Sequence, residues 1–168
     1  MEALKEVKGG NKMFNIFKKA QFKIVSPAKG KLKDITEVND KTFSTKTLGD
    51  GFAIEPENGD VHSPMDGVVE SIFPTLHALA LKNSNGTEIL IHIGINTVTL
   101  NGDGFKSFVS EGKKVNAGDR LVTFDMDFVK DKVKSTDIIV IFMNGQSCEL
   151  LKNGADVEVS EEEIVNIK

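Results

Sequence analysis

Short runs of β-branched and aliphatic residues, broken by Gly, Pro, Asn, Asp and Ser, recur from about residue 22 to the end of the chain. They predict strands at Phe22–Val25, Gly30–Asp34, Gly51–Ile54, Gly67–Phe73, His77–Lys82, Glu88–Gly94, Arg120–Asp125, Ile138–Met143 and Glu158–Ile164. Many short strands with turn residues between them favour an all-β sandwich or barrel over a βαβ fold. Helical spacing appears in two internal segments. Gly104–Glu111 sets Phe105, Phe108 and Val109 on one side, and Asp125–Lys134 does the same with Phe128, Val129 and Val133, so both read as short connecting helices.

An internal echo carries the organisation further. Ser26-Pro-Ala-Lys-Gly30-Lys-Leu-Lys-Asp-Ile35 returns as Ser63-Pro-Met-Asp-Gly67-Val-Val-Glu-Ser-Ile72. In each copy Pro and then Gly make a turn that launches a strand, so the chain is expected to hold two copies of one β-motif packed together. Residues 1–21 differ from the body, residues 22–168. After Gly9-Gly10-Asn11, the residues Met13, Ile16, Phe17 and Ala20 line one helical face among Lys12, Lys18 and Lys19. A short basic amphipathic segment of this kind suits contact with an acidic membrane surface through Met13–Lys19, or else a flexible tail.

Composition narrows the function classes. A chain of 168 residues with 39% hydrophobic side chains fits one ordinary domain. All the aromatic side chains are Phe, eleven of them, so the indole and phenol groups often used to stack on bases or sugars are missing. Residues 1–33 hold nine lysines against Glu2 and Glu6, net +7, whereas the remaining 135 residues hold 12 basic and 23 acidic groups, net −11. An acidic body argues against nucleic acid as the main partner. One cysteine, Cys148, excludes an internal disulfide and any multi-cysteine metal site. With no apolar run long enough to span a bilayer and no signal-peptide start, the expected location is the cytosol, and the start at Met1 favours a free protein over a fused domain.

The candidate chemistry lies in two of the three histidines. His77 and His92 flank Asn83-Ser84-Asn85-Gly86, a strong hairpin signal. If Ser84 and Asn85 form the centre of a two-residue turn, His77 stands directly opposite His92. If the centre is Asn85-Gly86, the two are diagonal on the same face. Either even-numbered loop puts both rings on one side, with Leu79, Leu81 and Leu90 as company and Ile89, Ile91 and Ile93 pointing away. Two adjacent imidazoles can bind a metal, shuttle a proton or hold a phosphoryl group. A zinc site would need a third ligand, which has no counterpart at suitable spacing and would come from another molecule. Nucleotide-dependent transfer lacks a phosphate loop, and a Gly-x-Ser-x-Gly hydrolase motif is absent. His62 has no such partner and reads as structural.

From about Phe22 to Lys168 the chain resembles the glucose-type enzyme IIA of the bacterial phosphoenolpyruvate-dependent sugar phosphotransferase system. The resemblance rests on Val25-Ser-Pro-Ala-Lys-Gly30, Leu48-Gly-Asp-Gly51, Ser63-Pro-Met-Asp-Gly67, Phe73-Pro-Thr-Leu-His77-Ala78, Leu90-Ile-His92-Ile-Gly-Ile95 with Thr97-Val98, Asn101-Gly-Asp-Gly-Phe105 and Val115–Asp125. It implies an antiparallel β-sandwich or flattened barrel with a duplicated motif. His92 is implied as the phosphorylated nucleophile, His77 as the ring that contacts the phosphoryl group and Thr75 as the hydroxyl that orients the site. The implied donor is the phosphocarrier HPr. The implied acceptor is a cysteine of a sugar transporter's IIB domain, and no cofactor is required.

Phe43, Phe73, Leu90 and Val98 match the family's apolar partner-binding rim, and Asp40 its acidic contact to a basic partner. Two positions depart from the pattern: Asn96 stands where many relatives carry Asp, and Thr47 replaces a bulkier apolar residue. A second class of reading is a regulatory module that presses the His77/His92 face on transporters or kinases, with zinc bridged in trans. A lipoyl- or biotin-carrier domain, suggested by Pro64-Met-Asp-Gly67, lacks a suitably flanked lysine, since Lys82 sits in Leu81-Lys-Asn.

Overall fold

The fold is set by alternation along a few central strands. The structure is a computed structural model that describes residues 23–168; the amphipathic segment Met13–Ala20 and Phe22 lie outside the described residues. In chain order the strands are β1 (Gly30–Asp34), β2 (Gly51–Pro56), β3 (Asp60–His62), β4 (Gly67–Ile72), β5 (Ala78–Lys82), β6 (Glu88–Ile95), β7 (Phe105–Ser107), β8 (Lys114–Val115), β9 (Arg120–Phe124), β10 (Ser135–Phe142), β11 (Cys148–Leu150), β12 (Asp156–Val157) and β13 (Val165–Ile167). Helix α1 is Lys41–Ser44 and α2 is Met126–Val129, with 3-10 turns at Ile35–Glu37 and Thr97–Leu100. Among the described residues no helix is long and apolar enough to cross a membrane.

An eight-stranded antiparallel sheet runs β12-β1-β2-β10-β6-β5-β4-β8, and a three-stranded sheet, β3-β9-β7, packs on it. The inner face of the large sheet presents Phe52, Ile54, Ile138, Val140, Phe142, Ile89, Ile91, Ile93, Leu79 and Leu81. These join Val61, Leu121, Val122 and Phe124 of the small sheet in one core. The alternate positions Ala53, Ile139 and Ile141 face outward and are covered by Ile35, Val38 and Phe43, which form a second, smaller cluster. Burial on both faces explains why β10 reads as an unbroken apolar run rather than an alternation.

The sequence echo is a structural duplication. The Ser26 hydroxyl donates to the Ala28 carbonyl at 2.7 Å, and the Ser63 hydroxyl to the Met65 carbonyl at 2.6 Å. The Val25 N–H reaches the Pro64 carbonyl while the His62 N–H reaches the Pro27 carbonyl, so each copy holds the other. Each also pairs with a two-residue edge strand, Gly30 with Val157 and Gly67 with Val115. The sheet order reads the same from either end: the two copies, then their hairpin partners β2 and β5, then β10 and β6 at the centre. Gly67 is needed there, because a Cβ would come within 2.7 Å of the Lys82 carbonyl oxygen.

Three predicted elements differ. Gly104–Glu111 holds strand β7 rather than a helix, since Gly104 at φ +84 breaks helical geometry and β9 offers Phe105–Ser107 a ladder. Glu158–Ile164 forms turns with Ser160 and Glu163 at positive φ, and the final strand comes later, at Val165. Lys23–Val25 is not a strand, although Val25 and Ser26 are held by cross-motif hydrogen bonds. Within Asp125–Lys134 only α2 is helical, capped by the Asp125 carboxylate, which accepts from the Phe128 N–H.

Candidate functional site

His92 projects from the middle of β6 on the outer face, opposite Ile139 of β10 and Ala78 of β5. The β5–β6 connection is longer than a two-residue turn. Asn83 and Thr87 still pair, so the loop is Ser84-Asn85-Gly86 with Gly86 at φ +91, and the Gly86 N–H donates to the Asn83 carbonyl. This odd-numbered loop overturns the expected register. Leu79 and Leu81 face Ile91 and Ile89 in the inner core, while His92 shares its face with Leu90.

Strand alternation alone would turn His77 away from His92. His77, however, precedes β5, directly after Leu76 at φ 58, at the end of the Phe73–Leu76 turn, where the Leu76 N–H donates to the Phe73 carbonyl. Its ring meets that of His92 edge-on, with centroids 5.1 Å apart and planes at 81°. The two imidazoles therefore do converge, but through the loop before the strand rather than through the hairpin register.

Hydrogen bonding orients both rings. His92 Nδ1 donates to the Gly94 carbonyl at 2.9 Å, which leaves Nε2 of the neutral ring as a free lone pair. Burial, reinforced by the neighbouring His77, holds the His92 pKa down at about 4 against the weaker opposite pull of the Gly94 carbonyl and Asp40. His77 is likewise lowered by burial. The Thr75 hydroxyl lies 2.6 Å from His77 Nδ1. With that hydroxyl donating, the His77 proton sits on Nε2, so the site offers one ring as a nucleophile and the other as a donor.

The surroundings are apolar. The Phe43 ring lies 4.9 Å from His92, and Phe73 stands edge-on to His77 at 5.4 Å. Phe43 sits in α1, whose first turn Asp40 caps by accepting from the Thr42 N–H at 2.8 Å, so one residue both places the Phe and sets its charge toward His92. Leu90 is half-buried against the Phe43 cluster. Phe73 and Val98 are 46% and 50% exposed. Asn96 is exposed in the left-handed region, starts the Thr97–Leu100 turn and caps nothing with its side chain. The structure thus gathers His77, His92, Thr75, Phe43, Phe73, Asp40 and Leu90, and leaves Asn96 and Val98 on the turn after β6.

Sequence reasoning missed Gly94. At φ +72, its Cβ would meet Thr97 Cγ2 at 2.5 Å and the Ser135 carbonyl oxygen at 2.8 Å, and the bend that only glycine takes there is what turns its own carbonyl to His92. A glycine two residues after a candidate histidine was the available signal. Among the described residues no group of three or more His, Cys, Asp or Glu side chains could hold a metal ion.

The sequence model of the family described as phosphoenolpyruvate-dependent sugar phosphotransferase system, EIIA 1, matches residues 22–148. The chain belongs to this family. This enzyme IIA is 45% identical over 134 residues to the glucose-specific EIIA component from Bacillus cereus, covering 80% of this chain and 81% of that protein. It is 44% identical over 147 residues to the corresponding component from Mycoplasma capricolum, covering 86% and 94%. The solved glucose permease IIA from M. capricolum superposes with a TM-score of 0.80 at 41% identity, covering 85% of this chain and 94% of that one. A glucose-specific EIICBA component from Staphylococcus carnosus is 45% identical over 133 residues, which is 78% of this chain but 20% of the larger protein.

Proposed function

We propose that this enzyme IIA accepts a phosphoryl group on His92 Nε2 from phospho-HPr and passes it to a cysteine of a sugar transporter's IIB domain, acting in the cytosol. The observation that supports this reading is the neutral His92 ring with Nδ1 committed to the Gly94 carbonyl, which leaves Nε2 as its one lone pair. In the first step that lone pair attacks phosphorus, a P–N bond forms to His92, and the P–N bond to the donor histidine breaks. In the second, a cysteine thiolate forms a P–S bond and the pair returns to Nε2. His77, with its proton on Nε2, donates to a phosphoryl oxygen, and Thr75 keeps that tautomer. Phe43 and Phe73 exclude water, which disfavours loss of the phosphoryl group by hydrolysis. The exposed rim of Phe73 and Val98, with Asp40 and Asn96, is the surface that docks both partners. Neither step requires a metal when the partner's donors complete the site around the transferring group.

The test is incubation with phosphoenolpyruvate, enzyme I and HPr. An acid-labile phosphate should appear on the wild type and not on His92→Ala, and its persistence in that variant would sink the assignment. His77→Ala should still be phosphorylated by HPr but transfer poorly to IIB; unchanged transfer would refute the donor role. The 5.1 Å approach of the two imidazoles also suits a second use, as two ligands of a zinc ion completed by a regulated permease or kinase. Partner binding that rises with added zinc and is lost in His92→Ala would support that use.

A further inference from the structure

The three-stranded sheet carries a patch whose charge opposes that of the acidic body. Phe108 follows β7, and its N–H donates to the Leu121 carbonyl, extending the β7–β9 ladder by one rung. Its ring is 36% exposed. Lys106 Nζ lies 5.1 Å from the ring centroid and the Arg120 guanidinium 5.3 Å from it. Lys113 Nζ donates to the Phe108 carbonyl at 3.3 Å. Two cations thus flank one exposed aromatic ring, and a third is held at the carbonyl of the same residue. Lys29, Lys33, Lys46 and Lys82 each stand within 4.0 Å of a carboxylate, but among the described residues none of Lys106, Lys113 and Arg120 does. Glu111, exposed in the adjoining turn, pairs with none of them. The ring quadrupole offsets part of the repulsion and leaves the positive potential directed outward.

We propose that this patch docks on an anionic lipid bilayer, with the Phe108 ring entering the headgroup layer and Lys106, Lys113 and Arg120 taking lipid phosphates. An aromatic ring ringed by basic side chains is the chemistry of interfacial anchoring. Nucleic acid fits poorly, because a single ring makes no stacking platform for successive bases. The patch belongs to the sheet packed on the inner face of the large sheet, whereas the histidines stand on the outer face. Docking therefore holds the chain at the membrane with the His77/His92 face open.

The test is co-sedimentation of the full chain with phosphatidylglycerol/phosphatidylcholine vesicles and with phosphatidylcholine vesicles, at low and high salt. The basic segment before residue 22 is common to every variant, so differences between variants report on the patch. Each of Lys106→Gln and Lys113→Gln is expected to lower partition onto anionic vesicles about fivefold. Phe108→Ser is expected to lower it further, with less salt dependence. Lys31→Gln, an exposed cation on β1, serves as the control with little effect. Binding by Lys106→Gln/Lys113→Gln equal to wild type, equal loss in Lys31→Gln, or equal binding to both vesicle types would each overturn the proposal. So would a patch-dependent complex with an acidic protein in the absence of vesicle binding.

Discussion

Acidification tests whether burial keeps His92 neutral. The ring's pKa lies at about 4 rather than 6.5, first because the ring is buried and next because His77 stands against it. The folded value is below the unfolded one, so as pH falls the unfolded chain takes up its proton first. The contribution to stability is complete above pH 6.5, shrinks below it, and is lost as pH falls through 4. At about 1.4 kcal/mol per pH unit, the wild type should lose roughly 3 kcal/mol from this ring by pH 4. That is a large share of the stability of an ordinary domain.

Urea unfolding of the wild type and His92→Gln from pH 7 to pH 4 isolates the effect, because the carboxylates are common to both. The wild type should lose about 3 kcal/mol more than the variant over that range, and imidazole NMR should show His92 titrating far below a free histidine. Parallel losses, or a ring that titrates near 6.5, would refute the argument that desolvation keeps the nucleophile's lone pair free.

Other consequences are equally direct. Gly94→Ala puts a Cβ within 2.8 Å of the Ser135 carbonyl at φ +72 and should cost about 1–3 kcal/mol. Its phosphorylation should slow as the His92 Nδ1 acceptor shifts; wild-type melting and rate would count against the role given to that bend. Lys33→Met strips the buried Asp137 carboxylate of its partner at 2.8 Å and should cost about 3–5 kcal/mol, much of it regained by adding Asp137→Leu. A double variant no more stable than the single one would show that the pair is not the cause. Thr75→Val removes the 2.6 Å contact to His77 Nδ1 and should spare phosphorylation by HPr while slowing transfer to IIB. Nitrogen NMR should report a changed His77 tautomer, and an unchanged one would refute the orienting role.

The duplicated Ser-Pro-x-x-Gly motif was legible because its causes are local. Serine closes its own turn, proline and glycine start the strand, and both copies do so with near-identical hydrogen bonds. The central strands were legible for a similar reason, since runs such as Ile138–Phe142 have no other way to be buried. The segment Gly104–Glu111 was not, because a few apolar residues at helical spacing cannot outweigh a positive-φ glycine and a waiting strand edge; nor was Glu158–Ile164, which reads as a strand but is turned at Ser160 and Glu163 and tied by hydrogen bonds to Ser26.

The histidine pair shows where the division falls. Sequence alone determined that His92 lies within a strand, that Gly94 follows it, and that a hairpin brings the segment holding His77 alongside it. The side of the sheet on which His77 ends was decided by tertiary structure. One more residue in the Ser84–Gly86 loop than a two-residue turn inverts the pairing parity, and the bend at Leu76 then frees His77 from the alternation of β5. The low pKa of His92 also depends on groups distant in sequence that pack against the ring, Phe43 from α1 and Ile139 from β10, and it holds against the upward pull of Asp40. Desolvation is a property of the closed packing around a ring, and no single segment carries it.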